Sequence, residues 1–205
     1  QLGHGDEETQ LLPKKVETFI GQRVVAVSAG GGHSVALTAN GALWSWGSGY
    51  FDKLGHGDAQ DQWQPKKVDA LAGRRVIAVS AGVYHSLALT ADGVVWSWGD
   101  GAWGQLGHGD EQDQLLPKKI EALAGRRVVA VSASLLHSLA LTANGDVWSW
   151  GWGRQGVLGH GDTQQQLLPQ KVEALADQRV VAVSAGEHHS FALTADGSVW
   201  SWGDG

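Results

Sequence analysis

The chain has no cysteine and no methionine among its 205 residues, and only four prolines. Without cysteine there are no disulfides, no thiolate zinc sites and no cysteine nucleophile, although the redox compartment stays open. Charge is also sparse: 15 Lys and Arg against 21 Asp and Glu leave a net charge of −6. That balance argues against a phosphate-reading surface, which rests on clustered Lys and Arg. The apolar runs are short, well below the ~18 residues of a membrane helix. Neither nucleic acid nor membrane is therefore expected as a partner, and the chain reads as soluble, cytoplasmic if expressed in a cell. No signal peptide is visible, and the start at Gln1 without a Met reads as a processed or trimmed chain.

What is present is biased. Thirty glycines and eleven tryptophans exceed ordinary usage, in which Gly takes about 7%. One unit copied several times explains both. Leu-Gly-His-Gly-Asp recurs at Leu2–Asp6, Leu54–Asp58, Leu106–Asp110 and Leu158–Asp162, always 52 residues apart. Trp-Ser-Trp-Gly recurs from Trp44, Trp96, Trp148 and Trp200, and Pro13, Pro65, Pro117 and Pro169 keep the same period. Residues 53–104 and 105–156 share 37 of 52 positions. Self-similarity at such a period points to a solenoid or a propeller.

Each unit reads as four short strands. Val76–Ala81 is β-branched with small residues interspersed, and His85–Thr90 alternates up to the hairpin signal Ala91-Asp92-Gly93. Val94–Gly99 follows, with Trp96 and Trp98 on one face because the side-chain period is two. Pro65–Leu71 makes the fourth strand, where a proline is tolerated only at a sheet edge that the lysine pair also protects. Four antiparallel strands per repeat fit a propeller blade. The Ala- and Ser-rich strand suits the crowded centre, and the Trp pair fills the wedge between blades as core. The fold class expected is all-β, a single propeller array over residues 1–205. Its repeats run approximately 21–72, 73–124, 125–176, and 177–205 completed by 1–20.

Blades built on Leu-Gly-His-Gly-Asp, Val27-Ser28-Ala29-Gly30-Gly31-Gly32-His33-Ser34-Val35-Ala36-Leu37 and Trp-Ser-Trp-Gly resemble regulator of chromosome condensation repeats. Such repeats also occur in giant HECT-type ubiquitin ligases. The resemblance covers the whole chain four times over, as an idealised or engineered four-repeat version, and implies a β-propeller, usually of seven blades. Named members act on the small GTPase Ran as exchange factors and dock on chromatin. Exchange needs specific non-repeated loops and chromatin docking wants a basic surface or tail; this chain is nearly symmetric and its lysine pairs read as solvated edge charge.

Gln1 falls in the column of Lys53, Gln105 and Val157, and Gly205 in that of Gly49, Gly101 and Gly153. The chain is thus expected to start with a fourth strand and to finish with the other three, so that the N-terminal strand completes the last blade. A four-bladed monomer and an eight-bladed ring of two chains both satisfy this. Blades shaped for seven-fold packing resist the curvature of four, which favours the homodimer.

The copies disagree in few places. Between first and second strands they read Gly30-Gly31-Gly32, Gly82-Val83-Tyr84, Ser134-Leu135-Leu136 and Gly186-Glu187-His188. After the Trp strand they read Ser48-Gly49-Tyr50-Phe51-Asp52-Lys53, Asp100-Gly101-Ala102-Trp103-Gly104-Gln105 and Trp152-Gly153-Arg154-Gln155-Gly156-Val157. Trp63-Gln64 also stands against three Leu-Leu pairs. In an up-and-down blade both loop sets emerge on one face, whereas the hairpin turns on the other hardly vary. Exposed loops have no core reason to gain aromatics, which dominate binding hot spots. A protein- or peptide-binding face is therefore expected. It takes in Ser48, Tyr50, Phe51, Asp52, Lys53, Trp63, Val83, Tyr84, Ala102, Trp103, Leu135, Leu136, Trp152, Arg154, Gln155, Glu187 and His188. The first alternative is a purely structural repeat protein, whether designed or recently amplified, and the second, implied by the resemblance, is a guanine-nucleotide exchange factor or chromatin-binding propeller.

Catalysis and cofactors have little support. His33, His85, His137 and His189 each precede a serine, but adjacent strand residues point to opposite faces, which disfavours a Ser–His dyad within one copy. His4, His56, His108 and His160 sit between glycines in a tight turn and are expected to bond backbone rather than metal. The repeated Asp6, Asp58, Asp110 and Asp162 have no asymmetric partner for acid–base work. No enzyme activity, metal or cofactor is expected.

Overall fold

The computed structural model describes residues 1–205 as fifteen strands linked by turns and short 3-10 segments. The first blade holds β1 (Val24–Ala29), β2 (His33–Thr38), β3 (Leu43–Gly47) and β4 (Gln62–Lys67). The second holds β5 (Val76–Ala81), β6 (His85–Thr90), β7 (Val95–Gly99) and β8 (Gln114–Lys119). The third holds β9 (Val128–Ala133), β10 (His137–Thr142), β11 (Val147–Gly151) and β12 (Gln166–Lys171). β13 (Val180–Ala185), β14 (His189–Thr194) and β15 (Val199–Gly203) make the last. Within each sheet the strands lie antiparallel in chain order, the architecture of a β-propeller.

Local chemistry fixes the strand breaks. In each β2–β3-type turn a threonine hydroxyl reaches over the bend, as Thr38 Oγ1 does to Asn40 Oδ1 at 2.6 Å, and a glycine holds the left-handed position, Gly41 at φ 83°. Pro65 lies on β4, an edge strand, where its missing N–H costs no ladder bond.

The core sits between blades. Val35, Leu37, Leu43, Val68 and Leu71 of the first blade pack against Val76, Ala81, Ala88 and Trp98 of the second. The next junction repeats the set with Trp150. Trp98 and Trp150 are fully buried, and each indole N–H donates 2.8–2.9 Å to the carbonyl of Lys53 or Gln105 in the preceding loop. A buried tryptophan removes roughly 200 Å2 from water, worth roughly 5 kcal/mol before entropy.

One expected detail is not made within a single chain. The last blade has three strands, and Gln10–Lys15 forms no strand beside β15. The N-terminal segment is anchored elsewhere: the Trp46 indole donates to Gln1 O at 2.9 Å, and Phe19 packs on Trp44 and Trp46. It therefore sits in front of the first blade, and the four blades form an arc.

Candidate protein-binding face

The two varied loop sets meet because a backbone bond ties them in every blade. Ser48 N donates to Gly32 O, Asp100 N to Tyr84 O, Trp152 N to Leu136 O and Asp204 N to His188 O, all at 2.8–3.0 Å. The ends of β1, β5, β9 and β13 converge on a shallow axial depression of about 270 Å3, which Val83, Leu135 and Glu187 line. Beyond this ring the outer loops reach across blade boundaries. Phe51 packs edge-on to Tyr84 with ring centres 5.1 Å apart, and the Tyr50 ring lies tilted by 57° against Phe51 at 4.1 Å. Across the arc Trp152 lies 5.9 Å from the His188 ring. Tyr50 and Trp103 are exposed, while Ser48, Phe51, Asp52, Val83, Tyr84, Leu135, Leu136, Trp152 and His188 are half-buried.

The remaining predicted positions divide. Ala102, Arg154, Gln155 and Glu187 are exposed, and Gln155 Nε2 donates 2.7 Å to Asp204 Oδ2 of the next blade. Trp63 is exposed but stands at the rim, beside a cleft lined by Gln1, Leu2 and Asp6–Gln10. Lys53 is buried, and burial lowers its pKa, so its side chain does not project from the face. Ser134 varies for an internal reason: its Oγ lies 2.8 Å from His137 Nδ1 and satisfies a nitrogen that is left without a partner in His33 and His85.

Strain marks the outer loops. Phe51, Asp52 and Gln155 hold left-handed backbone at φ 63°, 58° and 61°, where other copies place Gly104 and Gly156 for the Asp52 position. Such positions cost of order 1–3 kcal/mol and gather at functional sites. Asp52 and Asp100 have raised pKa values, chiefly through burial, with Asp113 adding like charge to both. Sequence reasoning missed Asp61 and Asp113, whose carboxylates accept Gly49 N and Gly101 N at 2.8 Å and brace these loops. Their recurrence three residues after the Leu-Gly-His-Gly-Asp motif was the available signal.

The histidines are structural and bridge the blades. His33, His85 and His137 Nε2 lie 2.8–2.9 Å from Ser86, Ser138 and Ser190 Oγ. Each of those hydroxyls donates to a loop carbonyl, Lys53 O, Gln105 O or Val157 O, so the imidazole N–H must be the donor. The serine is thus an acceptor within the core rather than an activated nucleophile. Burial, with a contribution from Lys53 at His33, pushes His33 and His85 down to about 3 and His137 to about 4. His56, His108 and His160 bond Ser45, Ser97 and Ser149 Oγ at 3.0 Å, a side-chain partner where backbone was expected. Asp58 accepts Gln60 N two residues on, an Asx turn.

The RCC1-like domain profile matches residues 1–205, the full arc of blades. The chain belongs to the RCC1-like family. It is 43% identical over 206 residues to the E3 ubiquitin-protein ligase HERC2 of Homo sapiens, covering 100% of this chain and 4% of that protein. It is 39% identical over 204 residues to the ultraviolet-B receptor UVR8 of Arabidopsis thaliana, covering 99% of this chain and 46% of the receptor. Among solved structures, human WBSCR16 superposes at TM-score 0.79 with 28% identity, over 88% of this chain and 47% of that one. Yeast RCC1 (Prp20) bound to Kap60 superposes at 0.76 with 26% identity, over 94% and 45%. This RCC1-like chain spans less than half the length of these relatives. No helix in it is long and apolar enough to cross a membrane.

Proposed function

We propose that this RCC1-like chain is a non-enzymatic module that recognises a protein or peptide through the loops of one propeller face. The observation that carries the reading is the clustering of loop variation, aromatic side chains and strained backbone on that face, over blades that otherwise repeat. Tyr50, Phe51 and Tyr84 form one anchor group and Trp152 with His188 another, with Val83, Leu135 and Glu187 around the axis between them. Trp103 and Arg154 add contact area at the outer loops and Leu136 at an inner one. One solved relative, yeast RCC1 (Prp20), is described by protein contacts in two structures, with Kap60 in one and with Gsp1p and histones in the other, which supports protein binding as the class of activity. Varied loops over near-identical blades also support an idealised scaffold whose loops were engineered.

Peptides selected from a displayed random library on the intact chain test this. Their affinities are measured against the parent and against a variant with every inner varied loop reset to Gly-Gly-Gly and every outer one to Gly-Asp-Gly. The expected result is lost binding with the fold retained by circular dichroism. Equal binding to both proteins would leave the chain a structural scaffold.

A further inference from the structure

Charge divides between the two ends of the strands. Residues 48–61, between β3 and β4, hold Asp52, Asp58 and Asp61, and residues 100–113, between β7 and β8, hold Asp100, Asp110, Glu111 and Asp113. The one base in these two loops is Lys53, whose side chain is buried. The Lys and Arg pairs sit at the opposite strand ends, as Lys66-Lys67 and Arg74-Arg75 do. The matching loop of the third blade, residues 152–165, balances Asp162 with Arg154 and carries no net charge.

The acids and the aromatic anchors meet at one place. The Tyr50–Asp52 turn of the first blade lies against β7 and β8 of the second, which brings Phe51 to Tyr84 and Asp52 within the field of Asp113. Asp100, on the same loop as Asp113, feels it as well. The N–H groups of Gly101 and Ala102 fix Asp113 and Asp100 through Oδ1 at 2.8 and 2.9 Å, which positions the carboxylates without neutralising them. The ion pairs of the chain are Lys119–Glu121, Lys171–Asp146 and His188–Glu187, so Asp52, Asp100 and Asp113 have no cationic partner. In the third blade Gly156, Trp152 and Gln165 occupy their columns, so the blade architecture does not require these carboxylates. Asp52 is half-buried and Asp100 buried, and like charges gathered where water is partly excluded oppose folding. No group of His, Asp and Glu stands close enough to hold a metal ion. An organic cation answers both features, since ring faces attract it and the carboxylates neutralise it.

We propose that the partner is a basic peptide segment that lays an Arg or Lys side chain between the outer loops of the first two blades. This rests on the reading that the varied face recognises a protein or peptide. Tyr50, Phe51 and Tyr84 receive the stem and the cationic head of that side chain, and Asp52 and Asp100 receive its charge. The other acids of the two loops steer the approach of a positively charged segment, an attraction that salt screens.

Peptides selected on the intact chain from a displayed random library serve as the probe. Those that bind should share an Arg or Lys at one position, and their affinity should fall as salt rises. Citrulline in place of that Arg, or norleucine in place of that Lys, should weaken binding at least about tenfold with the protein untouched. Asp52→Asn/Asp100→Asn should weaken it by a similar factor. Glu173→Gln/Asp177→Asn removes the same charge from the opposite strand ends and should leave affinity within about twofold. Binding indifferent to Asp52→Asn/Asp100→Asn, or weakened equally by both double variants, would overturn the site. Binders that share no cation, or that tolerate citrulline or norleucine, would overturn the basic partner and leave the recognition face standing. If no peptide binds, both readings fall.

Discussion

At the residue scale, the buried histidines make an acid-sensitive core. Their pKa values in the fold, about 3 for His33 and His85 and about 4 for His137, lie below the unfolded value of 6.5. The fold therefore binds fewer protons than the unfolded chain, so this stabilisation is complete above about pH 6.5 and is lost as pH falls toward 4. Each histidine contributes a slope of about 1.4 kcal/mol per pH unit within that window. The urea midpoint should fall steadily between pH 6.5 and 4, and a flat profile would contradict neutral inter-blade donors. Asp52 is the opposite case, since it holds left-handed backbone where other copies use glycine. Asp52→Gly should raise stability by about 1 kcal/mol, read as a higher urea midpoint at unchanged slope. For the library-selected peptides, Phe51→Ala or Trp152→Ala should weaken affinity by about 2 kcal/mol, roughly 30-fold, if either side chain is an anchor. Unchanged affinity for both would remove the proposed anchors. The histidine–serine pairing was only half legible in the sequence. The period-two pattern ruled out contact within one strand, but the contact at 53 residues' separation depends on blades stacking side by side.

At the element scale, the strands and turns were legible because each is fixed by local chemistry repeated four times. Alternation set the strands, Asx–Gly pairs set the hairpins, and proline set the edge. The tryptophan strand was readable as core in part: Trp98 and Trp150 are fully buried, whereas Trp96 and Trp148 are half-buried. Trp98→Ala should cost about 4 kcal/mol through lost burial and the cavity left behind, whereas Trp200→Ala, at a position exposed in the single chain, should cost far less. Comparing the two urea midpoints checks this, and equal losses would contradict the placement of the core between blades. The outer loops were less legible. Lys53 stood among the varied residues, yet it is buried like Gln105 and Val157 of its column, with its carbonyl accepting both an indole and a serine hydroxyl of the next blade. Column variation marks what can change, and burial decides which changes reach solvent.

At the scale of the whole molecule, repetition predicts the blades but not how they close. Closure depends on the angle between neighbouring blades, a property of side-chain volumes in the wedge that no local pattern encodes. With the wedge filled as it is here, the four blades stand as an arc that gathers its varied loops on one face, around the axial depression. The affinity of library-selected peptides for that face is the most direct test of the account. Titration should show binding to the parent chain that is lost when every inner varied loop is reset to Gly-Gly-Gly and every outer one to Gly-Asp-Gly, with the strand signature unchanged. Equal binding to both proteins would contradict a recognition face built on the varied loops.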